Sequence, residues 1–377
     1  MPAAASAPSE RRTIFVVAGE ASGDMHAAEL VRELRLRVPD LELIGIGSER
    51  LAAEGLESLV DASRMNVAGF LEVVRRYRFL RAAFARAVDL ARTRRPALAI
   101  LVDYPGFNLR LARELHTLGI PVAYYIAPQV WAWKEGRVAQ LRRYVDELIV
   151  AFPFEVAWFA ERGVTARFFG HPIVDMLARQ SAPASPRPAS RRSTITYLPG
   201  SRSHEIVRHM PLLTAVMRRL GAQYHHVVPL APTIERAELE PYLAQASFEI
   251  ATDAREALGR SDAALVKAGT STIEAALAGV PFAAYYRTSR VSYEIARRFI
   301  TVPWIAMVNI LAGRGIVREF IQEQAEPEAM ADELQRIVED GAYRATMIAE
   351  LVAVRTALGE PGAAARVAEF IVGRFLR

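Results

Sequence analysis

The sequence predicts an α/β protein built from two doubly wound parallel-sheet domains, with helices at the C-terminus. The first reason is a recurring unit: a short apolar run without polar alternation, a glycine-containing turn and a helical pattern. This unit is typical of parallel strands covered on both faces. The second is a stretch rich in Pro, Ser and Ala, residues 180–193, after which the unit starts again. The third is length, because 377 residues is long for one hydrophobic core.

The same observations give the domain boundaries. We expect a disordered tip at 1–12, a first domain at 13–179, a linker at 180–193, a second domain at 194–358, and a C-terminal helix at 359–377 that packs back on an N-terminal domain. The tip is small and polar and contains no apolar core of signal-peptide length. No apolar run reaches the roughly 18–20 residues of a spanning helix, so we expect a cytoplasmic protein unless it rests on a membrane surface.

Composition excludes several classes of site. The chain has no Cys, which excludes disulfides, thiolate catalysis and cysteine-based metal sites. Its net charge of +5 comes from 47 basic and 42 acidic residues, so most charges can compensate one another while anionic partners stay plausible. No RNA-binding module or zinc-finger spacing is present, and we expect no nucleic-acid partner.

Six apolar runs are the predicted strands of the first half: Thr13–Ala18, Leu43–Ile46, Ala97–Val102, Val122–Tyr125, Glu147–Val150 and Ala166–Phe169. The first leads into a turn that contains Glu20, and a helix follows, capped by Ser22 or Asp24. Asp103 directly follows the third of these strands, Ala97–Val102, and open α/β sheets bind ligands at the carboxyl ends of their strands. Asp103 is therefore a candidate for chemistry, with a helix-cap or turn role before Pro-Gly as the alternative.

Two later turns of the first half carry side chains that can meet a ligand. Trp131 and Trp133 follow the fourth strand and can stack on a sugar, line an acyl pocket or fill a domain interface. His171 follows the sixth strand, where it can transfer a proton or contact a phosphate. A lone loop histidine more often makes structural hydrogen bonds, which is the alternative.

Residues 64–95 form a basic amphipathic segment. Bulky apolar side chains recur in it at helical spacing, with arginines interleaved, and include Phe70, Val74, Tyr77, Leu80 and Phe84. A helix of this kind can lie in an anionic membrane interface. The residues alone favour an ordinary amphipathic helix packed on the sheet.

The second half repeats the strand-turn-helix unit, with predicted strands at Ile195–Leu198, His225–Pro229, Phe248–Ile250, Ala263–Val266 and Phe282–Tyr286. Further helices are predicted at Arg290–Ile300, Pro327–Glu339, Tyr343–Leu358 and Ala363–Leu376. Three glutamates are expected on a solvated face: Glu319, Glu323 and Glu326.

Two turns of the second half have the chemistry of an anion site. Residues 199–202 and 267–270 each join a strand to a helix, whose first backbone N–H groups and dipole favour negative charge. Arg202 can clamp a diphosphate with two hydrogen bonds. Glu274 lies one turn into its helix, where it can accept hydrogen bonds from a ribose diol. The alternative is that any βα unit of an open sheet has this form.

Seven motifs follow one another along the chain: AGEASGD (Ala18–Asp24), DYPGFN (Asp103–Asn108), APQVWAW (Ala127–Trp133), GHP (Gly170–Pro172), LPGSR (Leu198–Arg202), AGTSTIE (Ala268–Glu274) and NILAGR (Asn309–Arg314). These motifs occur in the order found in the lipid-A-disaccharide synthase family. The chain closely resembles that family over nearly its whole length, from Thr13 to Gln322. The resemblance implies the GT-B fold, in which two Rossmann-like doubly wound domains face each other across a cleft, with C-terminal helices.

The resemblance also implies an activity, an inverting glycosyl transfer. UDP-2,3-diacylglucosamine would give its sugar to the 6-hydroxyl of 2,3-diacylglucosamine 1-phosphate, forming the β-1,6 disaccharide of lipid A (lipopolysaccharide) biosynthesis in a Gram-negative bacterium and releasing UDP. It further implies a peripheral enzyme on the inner face of the cytoplasmic membrane, in contact with inner-membrane lipids, and a homodimer with exchanged C-terminal parts. No metal or other cofactor is expected, which fits a sequence without a DxD carboxylate pair.

Roles for individual residues follow from the resemblance. Asp103 matches the family's essential aspartate and is the expected base, with Glu20 as the second candidate. The expected donor side comprises Gly200, Ser201, Arg202, Gly269, Thr270, Ser271, Thr272, Glu274 and Asn309. The expected acceptor and lipid side comprises Ser22, Gly23, Asp24, Asn108, Gln129, Trp131 and His171. The basic segment 64–95 becomes the expected membrane-docking surface.

Two positions depart from the family's pattern. Gly106 stands where many members have a second acid, which gives weight to Asp103 as the base. Lys267 stands where members often have a small residue, and its ammonium can approach the diphosphate or reach solvent.

Three other functions stay open at this stage. The first is another GT-B transferase that uses UDP-N-acetylglucosamine, and the second is a UDP-N-acetylglucosamine 2-epimerase, which would turn over its substrate without an acceptor. The third is a non-catalytic protein that binds a sugar nucleotide. Such a protein would keep its function when Asp103 is replaced.

Overall fold

The structure, a computed structural model, describes residues 12–65, 70–179 and 192–376. The chain divides into two compact units. Unit 1 comprises Met1–Asp175 and Gly359–Arg377, and unit 2 comprises Met176–Leu358. The predicted N-terminal tip, apart from its last residue, and most of the predicted linker lie outside the described residues.

The strands, numbered in chain order, are β1 (Thr13–Ala18), β2 (Glu42–Gly47), β3 (Glu57–Asp61), β4 (Leu98–Val102), β5 (Val122–Tyr125), β6 (Glu147–Val150), β7 (Ala166–Phe168), β8 (Thr194–Leu198), β9 (His225–Pro229), β10 (Glu249–Ala251), β11 (Ala263–Lys267), β12 (Phe282–Tyr286) and β13 (Glu319–Ile321). The helices are α1 (Ala21–Arg37), α2 (Glu49–Ala53), α3 (Phe70–Arg94), α4 (Pro105–Thr117), α5 (Val138–Tyr144), α6 (Pro153–Ala160), α7 (Pro172–Arg179), α8 (Ser203–Leu220), α9 (Ala254–Gly259), α10 (Ser271–Leu277), α11 (Arg290–Ala296), α12 (Met307–Ala312), α13 (Pro327–Glu339), α14 (Gly341–Ala357) and α15 (Ala363–Phe375).

In its described part, unit 1 contains a seven-stranded parallel sheet in the order β3-β2-β1-β4-β5-β6-β7. The direction of winding reverses between β1 and β4, which is where open α/β sheets bind ligands. The register pairs Ala18 with Val102. Residues that immediately follow these two strands therefore meet at one edge of the sheet.

Unit 2 repeats the design in its described part with six parallel strands in the order β10-β9-β8-β11-β12-β13. The winding reverses between β8 and β11, and Leu198 pairs with Val266. The turns at 199–202 and 268–270 accordingly lie beside each other at the carboxyl edge of this sheet.

Helices cover both faces of the unit 1 sheet, which explains its continuously apolar strands. One face packs under α3 and α4, and the other packs under α1 and α15. The C-terminal helix α15 buries Val367, Ala368 and Ile371 in the second cluster. Its first turn is capped by Asp175, whose carboxylate accepts hydrogen bonds from the backbone N–H groups of residues 362–364 at 2.6 to 3.0 Å. The C-terminal segment is thus tied to unit 1.

The predicted strands agree with the structure to within one residue at either end. Two strands were not predicted, β3 and β13, because both are short and partly polar. The expectation that Glu319 lies on a solvated face is wrong. Its carboxylate accepts hydrogen bonds from the backbone N–H groups of Ile305 and Ala306, at 3.0 Å each, and so holds the loop before α12.

Candidate active site

The two candidate bases lie at the switch point of unit 1. Asp103 directly follows β4, and Glu20 lies two residues after the end of the neighbouring strand β1. Burial, and then the negative charge of Glu20, raise the pKa of Asp103 to about 6. A carboxylate whose pKa is close to neutral is matched to accepting a proton at physiological pH.

The backbone at Asp103 is strained. Asp103 and Tyr104 have φ values of 44° and 49°, the left-handed region that costs a non-glycine residue about 1–3 kcal/mol. Hydrogen bonds hold this conformation: the Asn108 side chain donates to the carbonyl oxygens of Val102 at 3.1 Å and Asp103 at 2.8 Å. The Tyr124 hydroxyl donates to the same Asp103 carbonyl at 2.6 Å. Strain kept in place in this way is typical of functional sites.

Asn108, predicted to contact the acceptor, is fully buried and acts on the base instead. The aromatic ring of Tyr104 also braces this edge, because it lies over Gly19. A Cβ atom on Gly19 would stand 2.6 Å from Cγ of Tyr104, so the turn requires glycine there. The Tyr104 hydroxyl donates to the carbonyl of Met65 at 2.9 Å.

A cavity of about 290 Å³ opens beside Asp103 within unit 1. Its lining includes Asp103, Gln129, Trp133, Arg137 and Phe152. Gln129, predicted on the acceptor side, is exposed here. The cavity therefore joins the candidate base to an amide, an aromatic ring and a cation.

The two tryptophans of the 127–133 loop differ in role. Trp131, predicted on the acceptor side, is buried, and its indole N–H donates to the Glu155 carboxylate at 2.7 Å. Trp133 is 43% exposed and lines the cavity. Glu155 was missed by sequence reasoning. It also accepts from the backbone N–H of Phe152 at 2.8 Å, and burial raises its pKa to about 7.

Of the residues at the start of α1 that are predicted to meet the acceptor, Ser22 is exposed, whereas Gly23 and Asp24 are buried. Asp24 neither caps α1 nor reaches the surface, because its buried carboxylate accepts hydrogen bonds from the backbone N–H groups of Ser48 at 2.6 Å and Arg50 at 3.1 Å. Gly23 is buried next to Val102. Ser22 is exposed.

His171 has a structural role. It is buried, its Nδ1 accepts a hydrogen bond from the backbone N–H of Ile173 at 3.1 Å, and its ring packs on Phe152. Burial, and then the nearby His26, lower the pKa of His171 to about 3. Burial shields His171 from the surface, which favours the structural alternative, and its acceptor contact stays a prediction.

In unit 2, an ion pair joins the two candidate phosphate turns. Glu205, which sequence reasoning missed, lies 2.9 Å from the ammonium of Lys267 and accepts a hydrogen bond from the backbone N–H of Ser201 at 3.0 Å. Burial alone would raise the pKa of Glu205, but Lys267, Ser201 and Arg202 bring it below its usual range. Lys267 is thus held at the carboxyl edge of β11.

The turn at 199–202 is shaped by the same glutamate. Gly200 has a φ of 122°, and a Cβ atom on it would stand 2.9 Å from Cδ of Glu205. Ser201 is exposed, and Arg202, the N-cap residue of α8, keeps its side chain 51% exposed. The guanidinium therefore remains open at the start of an 18-residue helix.

The turn before α10 is tighter than predicted. The backbone N–H groups of Thr272 and Ile273 donate hydrogen bonds within the turn, to the carbonyl oxygens of Gly269 and Thr270. These two donors are therefore already used. Thr272 is fully buried, and its hydroxyl donates to the Gly269 carbonyl at 2.7 Å, so its phosphate contact stays a prediction. Thr270 is exposed and Ser271 half-buried.

Two further donor-side residues have distinct surroundings. Glu274 is half-buried, and burial raises its pKa while Arg255 opposes the rise. Asn309 is fully buried, and its side-chain amide uses both donors and both acceptor positions on Ile316, Val317 and Glu319. In this conformation Asn309 positions the loop after α12, and its contact with UDP stays a prediction.

The predicted docking helix is only partly a free surface. The side chains of Phe70 and Val74 lie outside the described part of the structure. Tyr77 is exposed, but Leu80 and Phe84 pack against the unit 1 core, where Phe84 meets Phe107 edge to face at 5.4 Å. Leu80 and Phe84 are half-buried, so part of their apolar surface is used inside the unit, and their docking role stays a prediction.

A different apolar surface lies on unit 2. Val291, Ile295 and Phe299, which we call the α11 apolar row, are 71%, 56% and 60% exposed. Arg290, Arg297 and Arg298 flank it. The four-residue spacing puts the row on one side of the helix and the turn that continues it. No described helix is both long enough and apolar enough to cross a bilayer.

Comparison with known proteins covers nearly the whole chain. The family model of lipid-A-disaccharide synthetase matches residues 14–364. The lipid-A-disaccharide synthase of Anaeromyxobacter dehalogenans (strain 2CP-C) is 46% identical over 371 residues, which cover 96% of this chain and 97% of the relative.

Solved structures bear on the fold alone. The calicheamicin glycosyltransferase CalG4 matches with a TM-score of 0.62 at 18% identity, covering 98% of this chain and 100% of that chain. A co-structure of S. aureus MnaA with UDP matches with a TM-score of 0.66 at 11% identity, covering 96% of each chain. The predicted GT-B fold is confirmed, and with the sequence matches these findings show that the chain belongs to the lipid-A-disaccharide synthetase family.

Proposed function

We propose that this chain transfers the sugar of UDP-2,3-diacylglucosamine to the 6-hydroxyl of 2,3-diacylglucosamine 1-phosphate with inversion, giving the β-1,6 disaccharide 1-phosphate and UDP. Family membership makes the chain a glycosyltransferase of lipid A disaccharide synthesis, with a UDP-sugar and a lipid-linked sugar as substrates. The epimerase and the non-catalytic binding protein are not favoured.

The observation that carries the mechanism is the carboxylate pair at the switch point of unit 1. Asp103, with a pKa of about 6, is ionised at pH 7 and can take the proton of the acceptor hydroxyl as its oxygen bonds to the anomeric carbon. The bond from that carbon to the diphosphate breaks in the same displacement. Glu20 keeps the pKa of Asp103 raised by its negative charge, which makes Asp103 a stronger base.

The leaving diphosphate needs positive charge. We assign this to the exposed guanidinium of Arg202, to the first turn of α8 and to the ammonium of Lys267. Glu274 would meet the ribose. The proposal requires no metal or other cofactor, so turnover is expected to persist in EDTA.

The membrane side of the proposal rests on charge and apolar surface. The α11 apolar row with its three flanking arginines suits a surface of anionic lipids, such as the inner face of a cytoplasmic membrane. Both acylated substrates reside in such a membrane.

Steady-state kinetics of purified variants, with the product identified by mass spectrometry, test the assignment of the base. Asp103→Asn is expected to lower kcat roughly 100- to 10,000-fold while leaving UDP affinity intact. Glu20→Gln is expected to remain active and to move the acidic limb of the kcat/KM profile below pH 6, because removal of its charge lowers the pKa of Asp103. An inactive Glu20→Gln beside an active Asp103→Asn would make Glu20 the base. A wild-type protein that binds UDP but forms no disaccharide would refute the proposed function.

A further inference from the structure

The cavity beside Asp103 also contains an exposed aromatic ring with two cations over it. The ammonium of Lys134 lies 4.3 Å from the ring centroid of Trp133, and the guanidinium carbon of Arg137 lies 5.5 Å from the same centroid. Trp133 and Arg137 line the cavity, and Lys134 lies between them in the chain. Lys134 has a φ of 61°, so its backbone is held in a conformation that a lysine rarely adopts.

These two cations lack a counterion. Across residues 12–65, 70–179 and 192–376, no carboxylate forms an ion pair with Lys134 or Arg137. The intervening Glu135 turns instead to Arg162, with Nε to Oε1 at 2.6 Å. Burial and then the charge of Arg137 lower the pKa of Lys134, as expected for neighbouring like charges. Two adjacent cations on a ligand cavity favour a ligand that carries more than one negative charge.

Arg137 is within electrostatic reach of Tyr124, the residue that holds the backbone of the candidate base. Burial and Asp103 raise the pKa of Tyr124, and Arg137 opposes that rise. The Tyr124 hydroxyl is the group that donates to the Asp103 carbonyl. Asp103, Arg137 and Trp133 thus line one cavity, and Lys134 adjoins it over the Trp133 ring. The cavity volume of about 290 Å³ is near the lower end of small-ligand sites, roughly 300 Å³.

We propose that this cavity is the acceptor headgroup site, in which Arg137 and Lys134 bind the sugar 1-phosphate, Trp133 packs on the sugar ring and Asp103 faces the hydroxyl. A phosphate monoester carries a charge of about −1.5 to −2 at pH 7, which matches two cations. Arg137 can bind its oxygens with two parallel hydrogen bonds. The site selects the acceptor by its terminal phosphate, a group that the diphosphate diester of the donor lacks. This inference rests on the proposed function.

The larger cavity of unit 2, about 470 Å³, has a different character. It lies at the opposite edge of its sheet, at the amino ends of β9 and β10. Its lining pairs Glu249 with His225, and Arg192 and Arg218 donate hydrogen bonds to the backbone carbonyls of Ala222 and Gln245. The unit 1 cavity is the one that holds uncompensated charge beside a candidate catalytic group.

Paired kinetics test the proposal, with the phosphorylated acceptor and the same lipid lacking its phosphate. The double variant Lys134→Gln/Arg137→Gln is expected to raise KM for the phosphorylated acceptor roughly tenfold or more, with KM for the UDP-sugar unchanged. The preference for the phosphorylated acceptor should fall by the same factor. Trp133→Leu should raise KM for both acceptors. Arg143→Gln is the matched control, an exposed arginine of α5 outside the cavity.

Each outcome separates the inference from the proposed function. The phosphate site is overturned if the acceptor KM is unchanged in the double variant, or if KM rises equally for both acceptors. Disaccharide formation by the wild type would still support the proposed function. Isothermal titration of glucosamine 1-phosphate into the wild type and the double variant gives a readout without turnover. Equal affinities in that titration would also overturn the proposal.

Discussion

Asp103 combines a strained backbone with a carboxylate that resists ionisation. Its φ of 44° is followed by a second left-handed residue, Tyr104, and burial beside Glu20 raises its pKa to about 6. Both features cost folding free energy. Asn108 and Tyr124 donate hydrogen bonds to its carbonyl oxygen and so fix the backbone that carries the carboxylate at the end of β4. Strain and burial of this kind are typical of functional sites and support the proposal that Asp103 is the base.

Because of this cost, we expect the effect of replacing Asp103 on the free energy of unfolding to depend on pH. The folded-state pKa of Asp103 is raised from 3.8 to about 6, so its favourable contribution is present below pH 3.8 and is lost as the pH rises through 6. Asp103→Asn removes the buried charge and is expected to raise the free energy of unfolding at pH 8 by about 1–3 kcal/mol. At pH 4 the gain should be small. Denaturant unfolding at both pH values measures this, and an equal effect at the two would contradict it.

At the scale of elements, an ion pair between Glu205 and Lys267 joins α8 to β11 at the carboxyl edge of the unit 2 sheet. Glu205 is 9% and Lys267 17% exposed at the side chain, so loss of one partner leaves a largely buried charge. Lys267→Met is expected to destabilise the protein by roughly 1–3 kcal/mol and to weaken UDP binding.

The double variant Lys267→Met/Glu205→Gln separates the two effects of that ion pair. It should recover most of the stability, because no unpaired charge remains, without recovering UDP affinity. Thermal unfolding and UDP titration give the two readouts. A double variant as unstable as Lys267→Met alone would show that the pair is not what couples these elements.

The α11 apolar row gives a prediction about membrane binding. Replacement of Val291, Ile295 and Phe299 by Ser is expected to abolish sedimentation with vesicles containing phosphatidylglycerol and to lower turnover of acylated substrates, with UDP affinity unchanged. Val352→Ser is the matched control, since Val352 is an exposed valine on α14. Undiminished vesicle binding by the triple variant would exclude the row as the docking surface.

At the scale of the molecule, the C-terminal segment is the part of the chain that returns to an earlier unit. Residues 359–377 leave unit 2 and pack α15 on α1. The homodimer with exchanged C-terminal parts stays a prediction, and exchange would form the same contacts between two chains. The contact itself is therefore the place to test it.

Because the chain has no native cysteine, introduced cysteines are the only thiols that can react in this test. Cysteines introduced at Ala28 and Ala368, both buried in the cluster shared by α1 and α15, can be joined by a short bismaleimide after partial unfolding and refolding. With exchange, a denaturing gel shows a covalent dimer, and light scattering of the untreated protein gives twice the chain mass. A cross-linked single chain together with a monomeric mass would contradict exchange.

The sequence by itself determined eleven of the thirteen described strands, their ends and the chemical character of the motifs. Apolar runs and glycine turns are local, so β1, β4, β8 and β11 and the residues that follow them could be read directly from the sequence. Asp103 and Arg202 were found for this reason: each directly follows or nearly follows a strand end, and each keeps a polar group at the carboxyl edge.

Only the tertiary structure decided which polar side chains of the motifs remain available. Trp131 is satisfied by Glu155, 24 residues away, Asp24 by the turn after β2, and Asn309 by the loop that leads into β13. Glu205 and Arg137 became candidates through neighbours that no local pattern specifies. A buried polar group must find a partner, and packing between distant segments determines which partner it finds.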